Sequence, residues 1–399
     1  MRPMNFTSGS AAKRLEQYFQ TMGEILGSPQ RRASFALYAM GLFSAAERKS
    51  IEPLAVHACP DPSKADAAHQ RLHHFITDSE WSDHGVRRAA AAEALRAMVE
   101  QGPVEAWIID DTGFLKQGKH SVGVQRQYTG SAGKITNCQI GVSLTVATRN
   151  EQLPLDFQLY LPESWMNDPA RRKEARIPRA LEFQTKPDQA LAMIRRALND
   201  NVPQGVVLAD CAYGTSAEFR RELRALDLQY AVAVDAKTKV QLADQPESPP
   251  ISLADLALSL ATEGAFRRCT WREGTGRTLW ARFARRRVRV SDDEEVWLLI
   301  EWRDGETEPA NYFFASFPRR ISLIKTVRIA MQRWRTERAY EDLKGELGLD
   351  HYEGRRFPGW HHHVSVALAC YAFIVAERSR RFPPSPRRSM DYREVPIAA

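Results

Sequence analysis

The fold is decided by a short stretch that runs Ala106-Trp107-Ile108-Ile109-Asp110-Asp111. Its continuous apolar run predicts a strand that is buried on both faces, as in the parallel part of an α/β sheet. The two carboxylates predict the point where this strand terminates. Ligands of open α/β sheets gather at the carboxyl ends of the strands, so Asp110 and Asp111 are the first candidate site residues.

Strand and helix patterns alternate after this stretch, which predicts a mixed α/β sheet. A second apolar run, Gly205-Val206-Val207-Leu208-Ala209-Asp210, also ends in an acid and makes Asp210 the next candidate. Polar, glycine-rich sequence from Gly113 to Lys134 separates the first run from the next strand pattern. The other predicted elements are strands at residues 138–146, 155–161 and 230–234 and helices at residues 187–198 and 216–226.

The sequence on either side of this alternating part has a different pattern of residue types. Residues 1–100 show helical spacing without a strand pattern, which predicts a separate helical module. A proline-rich loop and then alternating, aromatic-rich sequence predict a β-rich insertion at residues 236–319. One long helix is predicted at 321–347, closed by Gly348, and a last helix at 361–377. The chain therefore divides into residues 1–100, 101–235, 236–319, 320–378 and a basic, proline-rich tail at 379–399.

Composition excludes several classes of protein. Hydrophobic residues make up 43% of the 399 residues, which is enough for a core and too many for a disordered chain. The five cysteines are scattered without a C-x-x-C pair, so we expect neither a disulfide framework nor a structural zinc site. The net charge of +7 suits a polyanionic partner, although many enzymes carry as much.

No segment predicts secretion or insertion into a membrane. The first ten residues lack the apolar region of a signal peptide. The longest apolar run, Val364 to Ala376, is shorter than the roughly 18 residues that a membrane span needs, and it predicts a buried helix. We therefore expect a cytoplasmic protein with reduced thiols and no membrane partner.

The acids at the two strand ends suit a hard divalent cation. Mg²⁺ prefers carboxylates, water and substrate phosphate as ligands. Two such ions roughly 3.5–4 Å apart can activate the attacking oxygen and stabilise the leaving one in phosphoryl transfer. Aspartate is also common at strand ends because it favours turns and helix caps, so an ordinary structural role is the alternative for Asp210.

The predicted helix at 321–347 offers a third carboxylate. Arg333, Glu337 and Lys344 are spaced i, i+4 and i+11, which places them on one stripe of a helix. A metal-bound phosphodiester would suit Glu337 on the ion and the two cations on phosphates, whereas a solvated face with ordinary ion pairs is the alternative. An adjacent row that could face the core contains Ile329, Thr336, Tyr340, Leu343 and Leu347.

Several blocks of the chain resemble those of the DDE transposases of bacterial insertion sequences. Trp107 to Val146 is similar to the first block of that family, and V-V-L-A-D-C-A-Y-G at Val206–Gly214 resembles the block around the second aspartate. Arg333-x3-Glu337-x6-Lys344 matches the R-E-K part of the family's Y-R-E-K signature. Two further blocks are L-Y-L-P-E-S-W at Leu159–Trp165 and G-L-D-H-Y-E-G-R at Gly348–Arg355. The resemblance covers nearly the whole chain.

The resemblance implies an α/β fold with an RNase H-like mixed sheet flanked by helices, a helical N-terminal module, and a β-rich insertion before the glutamate helix. It implies a site of Asp110, Asp210 and Glu337 that holds Mg²⁺, with Mn²⁺ as a substitute. Asp111 is the alternate first acid: the family's D-x-T pattern favours Asp110, whereas an ungapped comparison with a relative's E-D-T favours Asp111. The signature tyrosine falls at Ala330, and Tyr340 cannot simply be assumed to replace it.

Other residues carry weaker patterns. The basic residues after the first acid are candidates for contact with DNA phosphates, together with Arg333 and Lys344, and solvated loop charge is the alternative. Tryptophans of the insertion could stack on a flipped base, although packing is their ordinary role. His361-His362-His363 indicates a helix start or a DNA contact rather than a metal site, because adjacent histidines point to different helix faces. The basic residues are Lys116, Lys119, His120, Arg126 and Lys134, and the tryptophans are Trp271, Trp280, Trp297 and Trp302.

The function that the resemblance implies is cutting at transposon ends and joining to target DNA. The expected partners are double-stranded DNA with terminal inverted repeats, read by the helical module at 1–100, and a second copy of the chain on that DNA. The expected place is the bacterial cytoplasm, at the nucleoid when DNA is bound. A transposase-derived regulator that binds DNA without cutting it is the first alternative, and an RNase H-fold nuclease without strand transfer is the second.

Overall fold

The computed structural model of the protein describes residues 10–58, 61–274 and 277–381. These residues form two compact units. Unit 1 comprises the described residues up to Pro103, the segment Asp111–Asn201 and the described residues from Thr336 onwards. Unit 2 comprises Val104–Asp110 and Val202–Arg335. Most of the expected tail, residues 382–399, lies outside the described residues.

The helices and strands follow one another in the expected alternation. The α-helices are α1 (Ala11–Leu26), α2 (Pro29–Phe43), α3 (Ile51–Ala58), α4 (Ala65–Thr77), α5 (Asp83–Gln101), α6 (Glu163–Met166), α7 (Pro169–Glu174), α8 (Lys186–Asn199), α9 (Cys211–Gly214), α10 (Ala217–Ala225), α11 (Leu253–Thr262), α12 (Leu323–Ala330), α13 (Trp334–Leu347) and α14 (Phe357–Arg381). The strands are β1 (Val104–Leu115), β2 (Gln125–Thr129), β3 (Lys134–Thr148), β4 (Gln152–Tyr160), β5 (Val206–Ala209), β6 (Tyr230–Val234), β7 (Lys239–Leu242), β8 (Ile251–Ser252), β9 (Arg267–Gly274), β10 (Arg277–Ser291), β11 (Glu294–Trp302) and β12 (Asn311–Ala315).

Helix α14 forms the centre of the core of unit 1. It packs against α5, α2 and α4 and against β4, which pairs with β3. The hydroxyl of Tyr18 donates to the carbonyl of Ala369 at 2.7 Å, so α1 is also fixed to this helix. The apolar run in α14 is buried in protein, as predicted. Within the described ranges, no helix combines the length and the apolar character that crossing a membrane requires.

Unit 2 is built on a mixed sheet with the strand order β1-β5-β6-β12-β11-β10-β7-β8, and β9 pairs with β10. The pairs β1–β5 and β5–β6 are parallel, whereas β6–β12, β12–β11 and β11–β10 are antiparallel. Short apolar strands form its centre, and every residue of β6 is buried. A mixed sheet flanked by helices is consistent with an RNase H-like fold, which confirms the predicted fold class.

Strand β1 does not terminate at the two acids, in contrast to the prediction. It continues to Leu115, although its parallel pairing with β5 spans only Ala106–Ile108. Beyond the acids, Phe114 is 1% exposed and packs edge-on against Phe157 and Trp360. This burial within unit 1 keeps the chain extended after the parallel pairing has ended.

The predicted long helix at 321–347 is interrupted. Helix α12 ends at Ala330, a 3₁₀ turn spans Met331–Arg333, and α13 begins at Trp334. In this turn, Gln332 Nε2 donates to Glu105 Oε2 at 2.8 Å, so a contact with β1 accompanies the break. Spacing alone does not predict such a contact. The predicted end of the helix is confirmed, because Gly348 follows α13 with a φ of 61° that favours glycine.

Several elements were not predicted, among them β2, α6, α7, α9 and α11, and α14 is longer than predicted. Strand β2 lies at a sheet edge and is partly exposed, so its sequence lacks the apolar alternation that would have indicated a strand. Helix α11 interrupts the β-rich insertion and begins after the N-cap Ser252. Helix α14 continues to Arg381, because Arg378 forms an ion pair with Glu151 at 2.7 Å and Arg380 pairs with Glu93. The first residues of the predicted tail are therefore helical.

Candidate active site

Asp110 and Asp210 occupy equivalent positions on two adjacent parallel strands of unit 2. The register of β1 and β5 is Ala106–Val206, Trp107–Val207 and Ile108–Leu208. Each aspartate follows the last paired residue of its strand by two positions. Because neighbouring strands lie about 4.8 Å apart, this register brings the two acids side by side where the parallel pairing ends.

The two acids differ in their local partners. Asp110 is 7% exposed, and Arg333 Nη2 lies 3.3 Å from its Oδ2. Asp210 is half-buried and caps α9, since its Oδ1 accepts a hydrogen bond from the Ala212 amide at 2.9 Å. The capping role that was the ordinary explanation for Asp210 is therefore present. The cap engages Oδ1 and involves no cation.

Asp111, the alternate first acid, has a partner of its own. Its Oδ2 lies 2.9 Å from Lys186 Nζ, and both residues belong to unit 1. Successive side chains of a strand point to opposite faces of the sheet, so Asp110 and Asp111 cannot serve the same face. Of these two neighbours, Asp110 is the one that shares its strand position with Asp210.

A buried network that the sequence did not predict fixes the turn after Asp210. Arg220 donates from Nη1 to the Gly214 carbonyl at 2.6 Å and from Nε and Nη2 to Glu294 at 2.9 and 3.1 Å. The hydroxyl of Tyr230 also donates to Glu294, and burial raises the pKa of Tyr230. Gly214 is required here, because a Cβ atom would lie 2.0 Å from the Ala233 carbonyl oxygen. Nothing in the sequence distinguishes Arg220 from the other arginines of α10.

Glu337 lies on α13 in unit 1, and its side chain is exposed. It makes no hydrogen bond or ion pair with another described residue. The predicted row beside it is buried at Thr336, Tyr340, Leu343 and Leu347, while Ile329 is half-buried. The helix therefore presents one face to the core of its unit and leaves the carboxylate of Glu337 open to solvent.

Neither Ala330 nor Tyr340 offers the hydroxyl of the missing signature tyrosine. Ala330 is 2% exposed at the end of α12. Tyr340 is buried, and its hydroxyl lies 2.6 Å from Ser143 Oγ. Since this hydroxyl is engaged in the core of unit 1, it does not face solvent where a phosphate could bind.

The predicted basic residues fall into two groups. Lys344 Nζ donates to Thr112 Oγ1 and to the Gly113 carbonyl, both at 2.8 Å, and burial lowers its pKa. Lys116 donates to the Tyr352 carbonyl, and burial lowers its pKa to about 8. These two lysines hold unit 1 together internally. Apart from Arg333, the others are exposed and make no ion pair with any described residue: Lys119, His120, Arg126 and Lys134.

The tryptophans of the insertion have faces or edges that other side chains already cover. The guanidinium of Arg268 lies 3.8 Å from the ring centroid of Trp280, and that of Arg285 lies 4.4 Å from Trp297. Trp271 packs edge-on against Phe283 at 5.5 Å, and Trp302 against Phe266 at the same distance. These contacts favour packing over base stacking.

The three histidines of α14 serve the core of unit 1. Burial lowers the pKa of His361 and of His363 to about 4, so both are neutral near pH 7. His362 stacks on Trp81 with a centroid distance of 3.9 Å, and its Nδ1 lies 2.8 Å from the Ile76 carbonyl oxygen. The burial and these contacts explain the histidines without DNA or a metal ion.

Donor chemistry decides which cation the acids could hold. Asp110 and Asp210 supply carboxylate oxygens, which fit Mg²⁺ or Mn²⁺ and do not fit a soft metal. A group of three or more metal-ligating side chains is not found in the part of the chain that the structure describes. The two acids of unit 2 are therefore not by themselves a complete set of metal ligands.

Comparisons with known proteins show the family of the chain. The family described as DDE superfamily endonuclease matches residues 21–278, which include Asp110 and Asp210. The chain belongs to this family. A second family, described as Transposase DDE domain, matches residues 184–373, which include Asp210 and Glu337. The predicted family is thus confirmed.

A curated relative is also similar to this chain. It is the probable transposase for insertion sequence element IS701 from Microchaete diplosiphon, 28% identical over 231 residues. The match covers 58% of this chain and 56% of the relative, so the chain spans about half the length of that protein.

Proposed function

We propose that this protein is a DNA transposase in which Asp110, Asp210 and Glu337 hold divalent cations for phosphoryl transfer at transposon ends. The observation that carries the proposal is the register of β1 and β5, which gives Asp110 and Asp210 the same position on adjacent parallel strands. Membership of the DDE endonuclease family supports DNA as the substrate. Glu337 joins the site on the strength of its position in the R-E-K signature.

The cation is Mg²⁺, with Mn²⁺ as a substitute. The chemistry that such ions supply when bound is activation of the attacking oxygen and neutralisation of charge on the phosphate. Asp110 and Asp210 bind through carboxylate oxygens, and the cap that Asp210 makes to Ala212 holds its side chain in one orientation. Asp111 remains the alternate first acid, and its ion pair with Lys186 favours a structural role for it.

Arg333 has two roles in this proposal. Without DNA, its guanidinium lies 3.3 Å from Asp110 and balances the charge of that buried carboxylate. A bound cation would supply positive charge to Asp110, and the planar fork of Arg333 would then suit a phosphate of the DNA. The guanidinium then orients the DNA beside the acids.

The partners are double-stranded DNA that carries terminal inverted repeats, target DNA, and a second copy of the chain. The helices at residues 10–100 would read the repeats. Water would cut the P–O3′ bond at the transposon end and free a 3′-hydroxyl. That hydroxyl would then attack a phosphorus atom of the opposite strand or of the target, and the 3′-oxygen of the attacked phosphodiester would leave.

The test is a cleavage assay with Mg²⁺ on DNA that carries the element's own ends. Wild type is compared with Glu337→Gln and with the control Glu341→Gln, which changes another exposed acid one turn further along α13. We expect wild type and the control to cut, and Glu337→Gln to bind the ends without cutting them. Equal activity of Glu337→Gln and wild type would exclude Glu337 as the third acid.

Two outcomes would favour the alternatives. If wild type binds the ends and never cuts them, the protein is a DNA-binding regulator derived from a transposase. If it cuts and yields no joined product with target DNA, it is a nuclease without strand transfer. A joined product that depends on Glu337 supports the transposase.

A further inference from the structure

Unit 1 contains a basic pocket that the proposed active site does not use. Its volume is about 380 Å³, and its lining includes Lys119, His120, Trp165, Arg171, Glu174 and Arg355. Three permanent cations thus face one carboxylate. We call this the Arg171 pocket. Two blocks of the sequence that had no assigned role end here, one at Trp165 and the other at Arg355.

The segments that form the pocket are fixed to one another before any ligand binds. Asn137 Nδ2 donates to the carbonyls of Lys116 and Gly118 at 2.8 and 2.7 Å, which holds the loop that carries Lys119. The Phe357 amide donates to the Ala175 carbonyl at 2.8 Å and so joins the end of α7 to the segment that carries Arg355. The cations therefore converge on a built cavity rather than on a mobile surface.

Arg171 is oriented by its neighbours. Its guanidinium lies 3.7 Å from the ring centroid of Trp165, and the indole is fixed because Nε1 donates to the Val124 carbonyl at 2.9 Å. A guanidinium stacked on a ring keeps its N–H donors in the plane of the fork, where oxygens can reach them. One of these donors binds the Lys119 carbonyl at 3.2 Å. The remaining donors suit a phosphate.

The residues that line the pocket also carry an excess of positive charge. Lys119, Arg171 and Arg355 make no ion pair with a described residue, in contrast to Arg87, Arg196 and Arg220 in the interior. A pocket that is lined by three such cations therefore suits an anionic ligand. On the basis of the proposed function, we propose that the Arg171 pocket binds a backbone phosphate of the DNA and holds the duplex to unit 1 through residues that the proposed active site does not include.

The experiment measures the affinity for a fluorescein-labelled DNA duplex by fluorescence anisotropy over a series of KCl concentrations. Arg355→Gln and Lys119→Gln are compared with Lys173→Gln, which removes an equal charge from an exposed position of α7 that does not line the pocket. Each pocket variant should weaken binding about tenfold and reduce the slope of log K against log[KCl] by about one, because a phosphate contact is lost. Lys173→Gln should change both quantities much less.

A variant that should strengthen DNA binding distinguishes the loss of a phosphate contact from the loss of folded protein. Glu174→Gln removes the carboxylate of the pocket and should tighten binding, which no loss of folded protein can imitate. Pocket variants that behave like Lys173→Gln, while wild type binds DNA, would overturn the pocket and leave the proposed function intact. Wild type that binds no DNA at low salt would overturn both.

Discussion

Asp210 and Asp156 show two different uses of a carboxylate. Asp156 lies inside β4 and is 6% exposed. Its carboxylate accepts a hydrogen bond from Arg196 at 2.8 Å, and the guanidinium of Arg87 lies 3.3 Å from it. Asp210 follows β5, is half-buried, and has no cation partner among the described residues. A carboxylate that is fully neutralised by arginines stabilises the fold, whereas one with open oxygens at a strand end is available to bind a cation.

The largest effect that this comparison predicts is on catalysis. Asp210→Asn should reduce Mg²⁺-dependent DNA cleavage by about a thousandfold, because a charged ligand is lost and several kcal/mol of charge stabilisation go with it. Its thermal stability should match wild type, since asparagine caps helices as well as aspartate does. Cleavage kinetics and thermal unfolding of the same sample check both parts. A variant that loses activity only because it unfolds would contradict the comparison.

The buried network behind Asp210 should give the largest effect on stability. Arg220→Met leaves Glu294 buried without its bidentate partner and should cost about 3–5 kcal/mol. The matched control is Arg221→Met, because Arg221 is exposed and, among the described residues, pairs only with the exposed Glu218 at 3.2 Å. That change should cost less than about 1 kcal/mol. Urea unfolding measures the loss of stability in both variants. Similar losses would show that the network does not stabilise the fold.

Asp156 predicts a pH dependence of stability. Burial alone would raise its pKa, but Arg87 and Arg196 hold the pKa of this carboxyl below its usual value. Such a group stabilises the fold above its unfolded pKa of about 4, and the contribution is lost as the pH falls through the lower pKa of the folded state. Acid unfolding of Asp156→Asn should therefore lack part of the loss of stability that wild type shows below about pH 4. If the acid-unfolding curves of Asp156→Asn and wild type are parallel, the ionisation of Asp156 does not contribute to the pH dependence of stability.

The smallest effect concerns the residue that might be mistaken for the missing signature tyrosine. Tyr340→Phe removes the hydrogen bond to Ser143 and should cost about 1 kcal/mol of stability. The cleavage rate should stay within about twofold of wild type, because the hydroxyl faces the core of unit 1 and not a phosphate. A large loss of cleavage with unchanged stability would instead assign Tyr340 to DNA.

Much of the fold could be predicted because it rests on local patterns. The apolar runs before Asp110 and Asp210 predicted β1 and β5, and Pro187 lies at the start of α8 as predicted. The edge strand β2 and the break after Ala330 could not be predicted. The break depends on a contact of the 3₁₀ turn with Glu105, which is distant in sequence. Strand β2 pairs with β3, which follows it closely along the chain, but the sequence of β2 lacks the apolar alternation that indicates a strand.

The candidate site was predictable in its acids and less so in its cations. A carboxylate after an apolar strand has a position that the sequence already indicates. Lys116 and Lys119 lie three positions apart in one polar stretch, yet one is buried against the Tyr352 carbonyl and the other lines the Arg171 pocket. Both are lysines in the same polar stretch, so the sequence does not distinguish their roles. Only the tertiary packing does.

The central claim is that Asp110 and Asp210 together bind a divalent cation, and iron-directed cleavage of the polypeptide tests it most directly. Fe²⁺ replaces Mg²⁺, and ascorbate with hydrogen peroxide produces radicals that cut the backbone near the ion. The account predicts cuts close to both Asp110 and Asp210 that excess Mg²⁺ suppresses, that disappear in Asp210→Asn and that persist in Asp156→Asn. Cuts that are absent from one of the two strands, or that survive in Asp210→Asn, would contradict it.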